Sequence, residues 1–306
     1  MTRGLIDDGG QKTISGFELV PPSIMAGTVG MLLFITVMGW WKYAGRRQIL
    51  GFSVPGPDRW TLASGLCTAG IIVTTTLAYT FDGVSIVFVM LLMRGGVLII
   101  APVVDYFSKR QTRWFSWAGL LLSMAALVVA FSEEGGYDLT IIVAVDISIY
   151  LTAYFIRLQF MSHRAKSADP SANTRYFVEE QMVASPSLLI ILAIVALVGG
   201  DGAMASEVRA GFTTFWSRDI AMYGVLVGIL SQGTGIFGSL IFLDKRENTF
   251  CVPVNRSSSI LAGVCASFAL SAAFDLPLPS TYQLAGAGLI IGAIGFLAVP
   301  FLFKKR

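Results

Sequence analysis

The chain has 306 residues, 55% of them hydrophobic and only 13% charged, with a net charge of +3 and a mean hydropathy of +0.71. A soluble domain carries about 25% charged residues because its surface must face water. This composition leaves no room for a large soluble domain and makes the lipid bilayer the expected solvent; no nucleic-acid partner is expected.

A helix needs roughly 20 apolar residues to cross about 30 Å of hydrocarbon. After a polar segment, 1–19, which lacks the apolar stretch of a signal peptide, such runs occur near 20–41, 60–82, 84–104 and 114–132. They continue near 139–160, 179–199, 219–243, 250–273 and 281–303, before a basic tail at 304–306. Nothing alternates in the rhythm of a membrane β-barrel strand. The expected fold is an all-α polytopic membrane protein of about nine transmembrane helices, four in a first half (20–132) and five in a second (139–303). The Trp40-Trp41 pair before Lys42 reads as an interfacial anchor.

Lys and Arg in short loops favour the cytoplasmic side. Lys42, Arg46, Arg47 and Arg59 follow the first span, Lys109, Arg110 and Arg113 the third, and Arg157, Arg164, Lys166 and Arg175 surround the loop after the fifth. Lys245 and Arg246 follow the seventh, and Lys304, Lys305 and Arg306 end the chain. Alternate loops are acidic or neutral, with Asp82, then Glu133 and Glu134, then Asp275; the 200–218 loop is mixed. An integral multi-pass protein with its C-terminus in the cytoplasm and its N-terminus on the opposite face is expected.

One fixed offset carries Phe81-Asp82-Gly83 through Met93-Arg94-Gly95-Gly96 onto Leu243-Asp244-Lys245 through Asn255-Arg256-Ser257-Ser258. Each copy has an Asp at the lipid boundary, an Arg at the same separation, small residues and an aliphatic run. The orientation argument makes the two copies run in opposite directions, the inverted-repeat arrangement of many secondary transporters.

The stretch from Val84 through Arg94 to Pro102, followed by a basic loop and Trp117-Ala118-Gly119, resembles the drug/metabolite transporter superfamily. The Met93-Arg94-Gly95 phrase is most similar to its solute carrier family 35 (nucleotide-sugar-transporter-like) branch. The resemblance implies two inverted five-helix halves and transport of a small metabolite. By position the span 20–41 matches the second helix of that pattern, so its first helix has no counterpart here.

Arg94 and Arg256 are the costly residues, since an Arg at a helix centre is charged about 2.5–3.5 kcal/mol by insertion scales. A planar guanidinium binds phosphate or carboxylate bidentately and stays protonated, so the two are candidates to clamp an anionic substrate. Alternatively, each pairs with a buried acid or a helix carbonyl and only holds helices together. Asp146 shares a helical face with Tyr150 and Tyr154 and is a candidate counter-ion or proton-coupling group. Gln232 and Asn255, polar within apolar spans, either contact substrate or bond a neighbouring helix, and Tyr79 is a further candidate contact whose alternative reading is an interfacial anchor. Gly95-Gly96 and Gly233-Thr234-Gly235 suit close helix approach. Glu179 and Glu180 read as a solvated helix N-terminus favoured by the dipole.

No metal or cofactor is expected, because His163 is the only histidine and Cys67, Cys251 and Cys265 lack ligand spacing. Without a Walker A motif or a Gly-x-Ser-x-Gly nucleophile, no enzyme is expected either. The leading expectation is a secondary transporter of an anionic organic metabolite, such as a nucleotide sugar, phosphorylated compound or carboxylate. The alternatives are a non-transporting membrane scaffold and, less favoured, a membrane transferase using Glu179-Glu180. A homodimer or a membrane partner stays open.

Overall fold

A computed structural model describes residues 14–49, 52–78, 86–132, 140–274 and 278–302. Among these, helix α1 (Gly16–Val37) leads to a short hairpin, β1 (Arg46–Ile49) and β2 (Phe52–Pro55), then α2 (Arg59–Leu77) and α3 (Ile86–Phe107). Next come α4 (Trp114–Phe131), α5 (Ile141–Phe160) with a π turn over Met161–Ala165, and α6 (Ala172–Val198). A short α7 (Ala203–Phe212), α8 (Ala221–Phe242), α9 (Asn248–Phe274) and α10 (Thr281–Leu302) complete the order.

The protein is thus all-α in character, and seven of these helices are long and apolar enough to cross a membrane. Their surfaces point the same way. In α5, Ile141, Ile142, Val145 and Ile149 are exposed, whereas Val143, Asp146, Tyr150, Tyr154 and Arg157 are buried. Polar residues inside and aliphatic residues outside invert the soluble pattern, and such apolar surface needs lipid or a partner to cover it.

Three features differ from the sequence expectation. The hairpin falls in a charged loop with no strand signal; it pairs Arg46 with Pro55 and Ile49 with Phe52. The 200–218 loop contains α7. Helix α6 begins at Ala172, two turns before the first apolar run, because its polar first turns find buried partners.

The chain divides into two compact units. One joins the described residues up to Val73 with Thr174–Ser239; the other joins Thr74–Asn173 with the chain from Leu240 onward. In the first, α1 packs on α7, and α2 lies so close to α6 that a Cβ at Gly65 would stand 2.5 Å from Val183 Cβ. Glu179 closes the base of the hairpin, accepting from the Gly45 and Asp58 N–H groups on either side of it.

In the second unit α10 packs on α4 and α9, and α3 on α5 and α9. Gly96 allows the α3–α5 approach, since a Cβ there would meet Leu151 Cδ2 at 2.5 Å, whereas Gly233 has nothing within 4 Å. The N-terminus of α9 is capped from another helix. Asp105, fully buried near the end of α3, accepts from Asn248 N and Nδ2 at 2.8 Å each. Its other oxygen accepts from Thr249 N and Oγ1 at 2.7 Å each. Those first-turn N–H groups have no partner within their own helix, and a carboxylate at the positive end of the dipole is favoured.

Candidate functional site

The second unit holds a buried polar cluster built by α5 and α9. Tyr150 and Tyr154 are one turn apart on the buried face of α5, 4% and 6% exposed, with ring centroids 4.9 Å apart. Against them lies Arg256 of α9. Its Nη2 reaches towards the Tyr150 hydroxyl at 3.5 Å, and its Cζ stands 5.1 Å from the Tyr154 ring centre. A cation over an aromatic face gains about 0.5–2 kcal/mol, more as water is removed. These contacts leave Arg256 Nε buried with no hydrogen-bond partner among the described residues.

Asp146, one turn before Tyr150, is 5% exposed, and its Oδ2 has no hydrogen-bond partner among the described residues. One turn beyond Tyr154, buried Arg157 stands over the Phe242 ring at 5.9 Å, and Phe242 in turn contacts the Tyr154 ring at 6.4 Å. The α5 face therefore carries carboxylate, phenol, phenol and guanidinium in succession.

Arg94, half-buried in α3, borders a cavity of about 270 Å³ among α3, α4, α9 and α10, whose polar lining includes Ser259, Ser267, Tyr282 and Gln283. The Tyr150 phenol feels the charge of both Arg256 and Arg94. Such a set offers fixed positive charge, aromatic faces and hydroxyl donors to an anion bearing a ring or hydroxyl groups.

Among the residues singled out in the sequence, Arg94, Arg256, Asn255, Asp146 and Tyr150 belong to this unit. Asn255 is buried, and its carbonyl accepts from Ser258 and Ser259. Gln232 belongs to the other unit, where its side chain lies against Gly27. Tyr79 and the Asp82 end of the repeat lie outside the described residues.

Several buried groups escaped the sequence reading. Lys166, counted there as a loop charge, is 8% exposed and donates to the Arg246 carbonyl at 2.7 Å, Asn248 Oδ1 at 3.0 Å and Cys251 Sγ at 3.4 Å. Burial pushes its ammonium below the ordinary lysine range, with Cys251 and Asp105 opposing the shift. Burial likewise works against the Asp244 carboxylate, but the Arg246 fork, at 2.7 and 2.9 Å, holds it below the usual carboxylate range. Glu179 and Glu180 are not solvated: they are 1% and 0% exposed. Glu179 takes Arg175 from one turn back in its own helix. Gly45, Asp58 and Thr61 for Glu179, and Ser64 and Thr68 for Glu180, come from the hairpin base and α2, more than a hundred residues earlier in the chain, which no local pattern signals.

No protein-family model matches the chain, and no curated protein is significantly similar to it. Solved structures do share its fold. One of them, described only as "Crystal structure of protein", superposes at a TM-score of 0.55 with 15% identity, over 96% of this chain and 91% of that one. At that identity the likeness speaks for the fold alone.

Proposed function

We propose that the chain is a secondary transporter of a small anionic organic metabolite, working by alternating access between two inverted halves of four and five helices. The reading keeps the resemblance to the drug/metabolite transporter superfamily and its solute carrier family 35 branch. It also places the C-terminus in the cytoplasm and the N-terminus on the opposite face, and it assigns no chemical catalysis.

The observation that carries it is Arg256. A guanidinium among apolar helices, stacked on Tyr154, with a buried Nε that has no hydrogen-bond partner among the described residues, keeps donor capacity that a purely structural arginine would have spent. Arg94, at the matching place in the other copy of the repeat, borders the neighbouring cavity.

The test is a thermal-stability screen of the detergent-solubilised protein against nucleotide sugars, sugar phosphates, carboxylates and neutral or cationic amino acids. A ligand at 100 times its dissociation constant adds roughly 2.7 kcal/mol. Stabilisation confined to anions, and abolished in Arg256→Gln and Arg94→Gln, supports the clamp. No shift with any anion makes both arginines structural and brings the membrane-scaffold reading forward.

A further inference from the structure

Asp105 and Glu179 show what a buried carboxylate needs in order to stay charged. Asp105 meets the backbone N–H and the side chain of both Asn248 and Thr249. Glu179 meets the Gly45 and Asp58 N–H groups, the Thr61 hydroxyl and Arg175 Nε. Donors of that kind, backbone N–H and a guanidinium among them, favour the ionised form.

Asp146 is held differently. It is 5% exposed on the inner face of α5, between Val143 one turn before it and Tyr150 one turn after, and its Oδ2 has no hydrogen-bond partner among the described residues. Cations are not scarce around it. Helix α5 itself brings Arg157, α3 brings Arg94 and α9 brings Arg256, with Tyr150 and Tyr154 as the other titratable groups. Yet no guanidinium among the described residues bonds to Oδ2, and Arg256 is turned onto Tyr150 and Tyr154 instead. The counter-ion role is therefore unmet at that oxygen. An ionised carboxyl with a bare oxygen among apolar helices bears the full cost of leaving water, and a group so placed takes up a proton instead. A neutral acid with an unmade hydrogen bond costs far less.

The proton's path from water is short. Asp146 follows Ile141, the first residue of α5, by five positions, about 7.5 Å along the axis at 1.5 Å per residue.

We propose that Asp146 is a reversible proton-binding site on the buried face of α5, neutral in the arrangement described above. A proton from water joins the carboxylate oxygen. Its release leaves a charge that this face holds only by admitting water or by turning towards an arginine. Intramembrane carboxylates that face the bundle interior mark proton relays in pumps and transporters. On the transporter reading the proton travels with the substrate. An anion on Arg256 and an ionised Asp146 are like charges in one apolar interior, where salt screens little, so the anion is loaded with Asp146 neutral. That coupling rests on the transporter reading; the proton site itself does not.

The experiment is infrared spectroscopy of the full chain in lipid, taken as the difference between acid and alkaline conditions. The wild type should show a protonated-carboxyl band that alkali removes. The band should be missing in Asp146→Asn and displaced in frequency in Asp146→Glu, which keeps the carboxyl on a longer stem. Coincident spectra for the wild type and Asp146→Asn overturn the proposal, and so does an absorption that Asp146→Asn removes but alkali does not. If Asp146→Asn fails to fold, a band unmoved in Asp146→Glu overturns the site equally. The measurement needs no transported molecule. A band lost in Asp146→Asn stands even where the ligand screen finds no anion, and coincident spectra refute the site whatever the screen finds.

Discussion

Replacing Asp105 by Asn removes one carboxylate oxygen from the point where four donors converge on the start of α9. The amide keeps one acceptor oxygen, which can serve the Asn248 pair or the Thr249 pair, and turns an NH2 towards the other two donors. Each buried donor left without an acceptor costs about 1–3 kcal/mol, so two of them cost about 2–6 kcal/mol. Local relaxation and water entry bring the expected loss to about 2–4 kcal/mol, a large share of a typical folding free energy. The buried ammonium of Lys166 also loses a carboxylate that favours it. Unfolding by SDS titration in mixed micelles reads this loss, with Asp219→Asn at an exposed position as the control. Thr249→Val should cost less in the Asp105→Asn background than alone, because the hydroxyl it removes shares the same acceptor. A loss for Asp105→Asn within about 0.5 kcal/mol of the control, the range of ordinary surface changes, would refute the remote cap.

Gly65→Ala should destabilise by about 1–3 kcal/mol through overpacking, since its Cβ meets Val183 Cβ at 2.5 Å and the Glu180 carbonyl at 3.0 Å. Gly30→Ala, with nothing within 4 Å, should gain up to about 1 kcal/mol in the same SDS titration. Glu179→Ala should free the hairpin base and speed trypsin cleavage at Arg46 and Arg47, with little change at Arg164. Lys166 holds its proton less tightly folded than unfolded, so its burial cost is relieved as pH rises from its lowered folded value towards the unfolded 10.5. Stability should climb over that range, and Lys166→Met should flatten the climb. Asp244 has the opposite sign: its contribution is present above its unfolded value of 3.8 and is lost as pH falls through its lower folded value. Arg246→Met should remove that acid-side loss.

The helices were legible because lipid imposes a length and an apolar composition that need no knowledge of neighbours. The α5 face was legible for a related reason: Asp146, Tyr150 and Tyr154 recur at helical spacing, and a polar stripe on an otherwise apolar helix must turn inward. Arg94 and Arg256 stood out through their cost alone. Boundaries were read less well. Charges and Gly or Pro clusters bound the spans in the sequence, which holds for the end of α8 before Asp244 but fails at α6: the span read from Glu179 begins at Ala172, with Arg175 already inside the helix.

That failure has a single physical source. Cost is a local property of an ionisable residue among apolar ones, whereas the way the cost is met depends on partners brought from elsewhere in the chain. Glu179 is satisfied by Gly45, Asp58 and Thr61, Asp105 by Asn248 and Thr249, and Lys166 by carbonyl and amide oxygens beyond residue 245. In each case the charge is spent on holding an element in place: the hairpin base, the start of α9, the turn before it. Arg256 and Asp146 differ, because each keeps a buried polar atom with no hydrogen-bond partner among the described residues. Equal cost in the sequence thus separates, once partners are known, into charges that build the fold and charges left with bonding capacity, and the proposed anion clamp rests on the second kind.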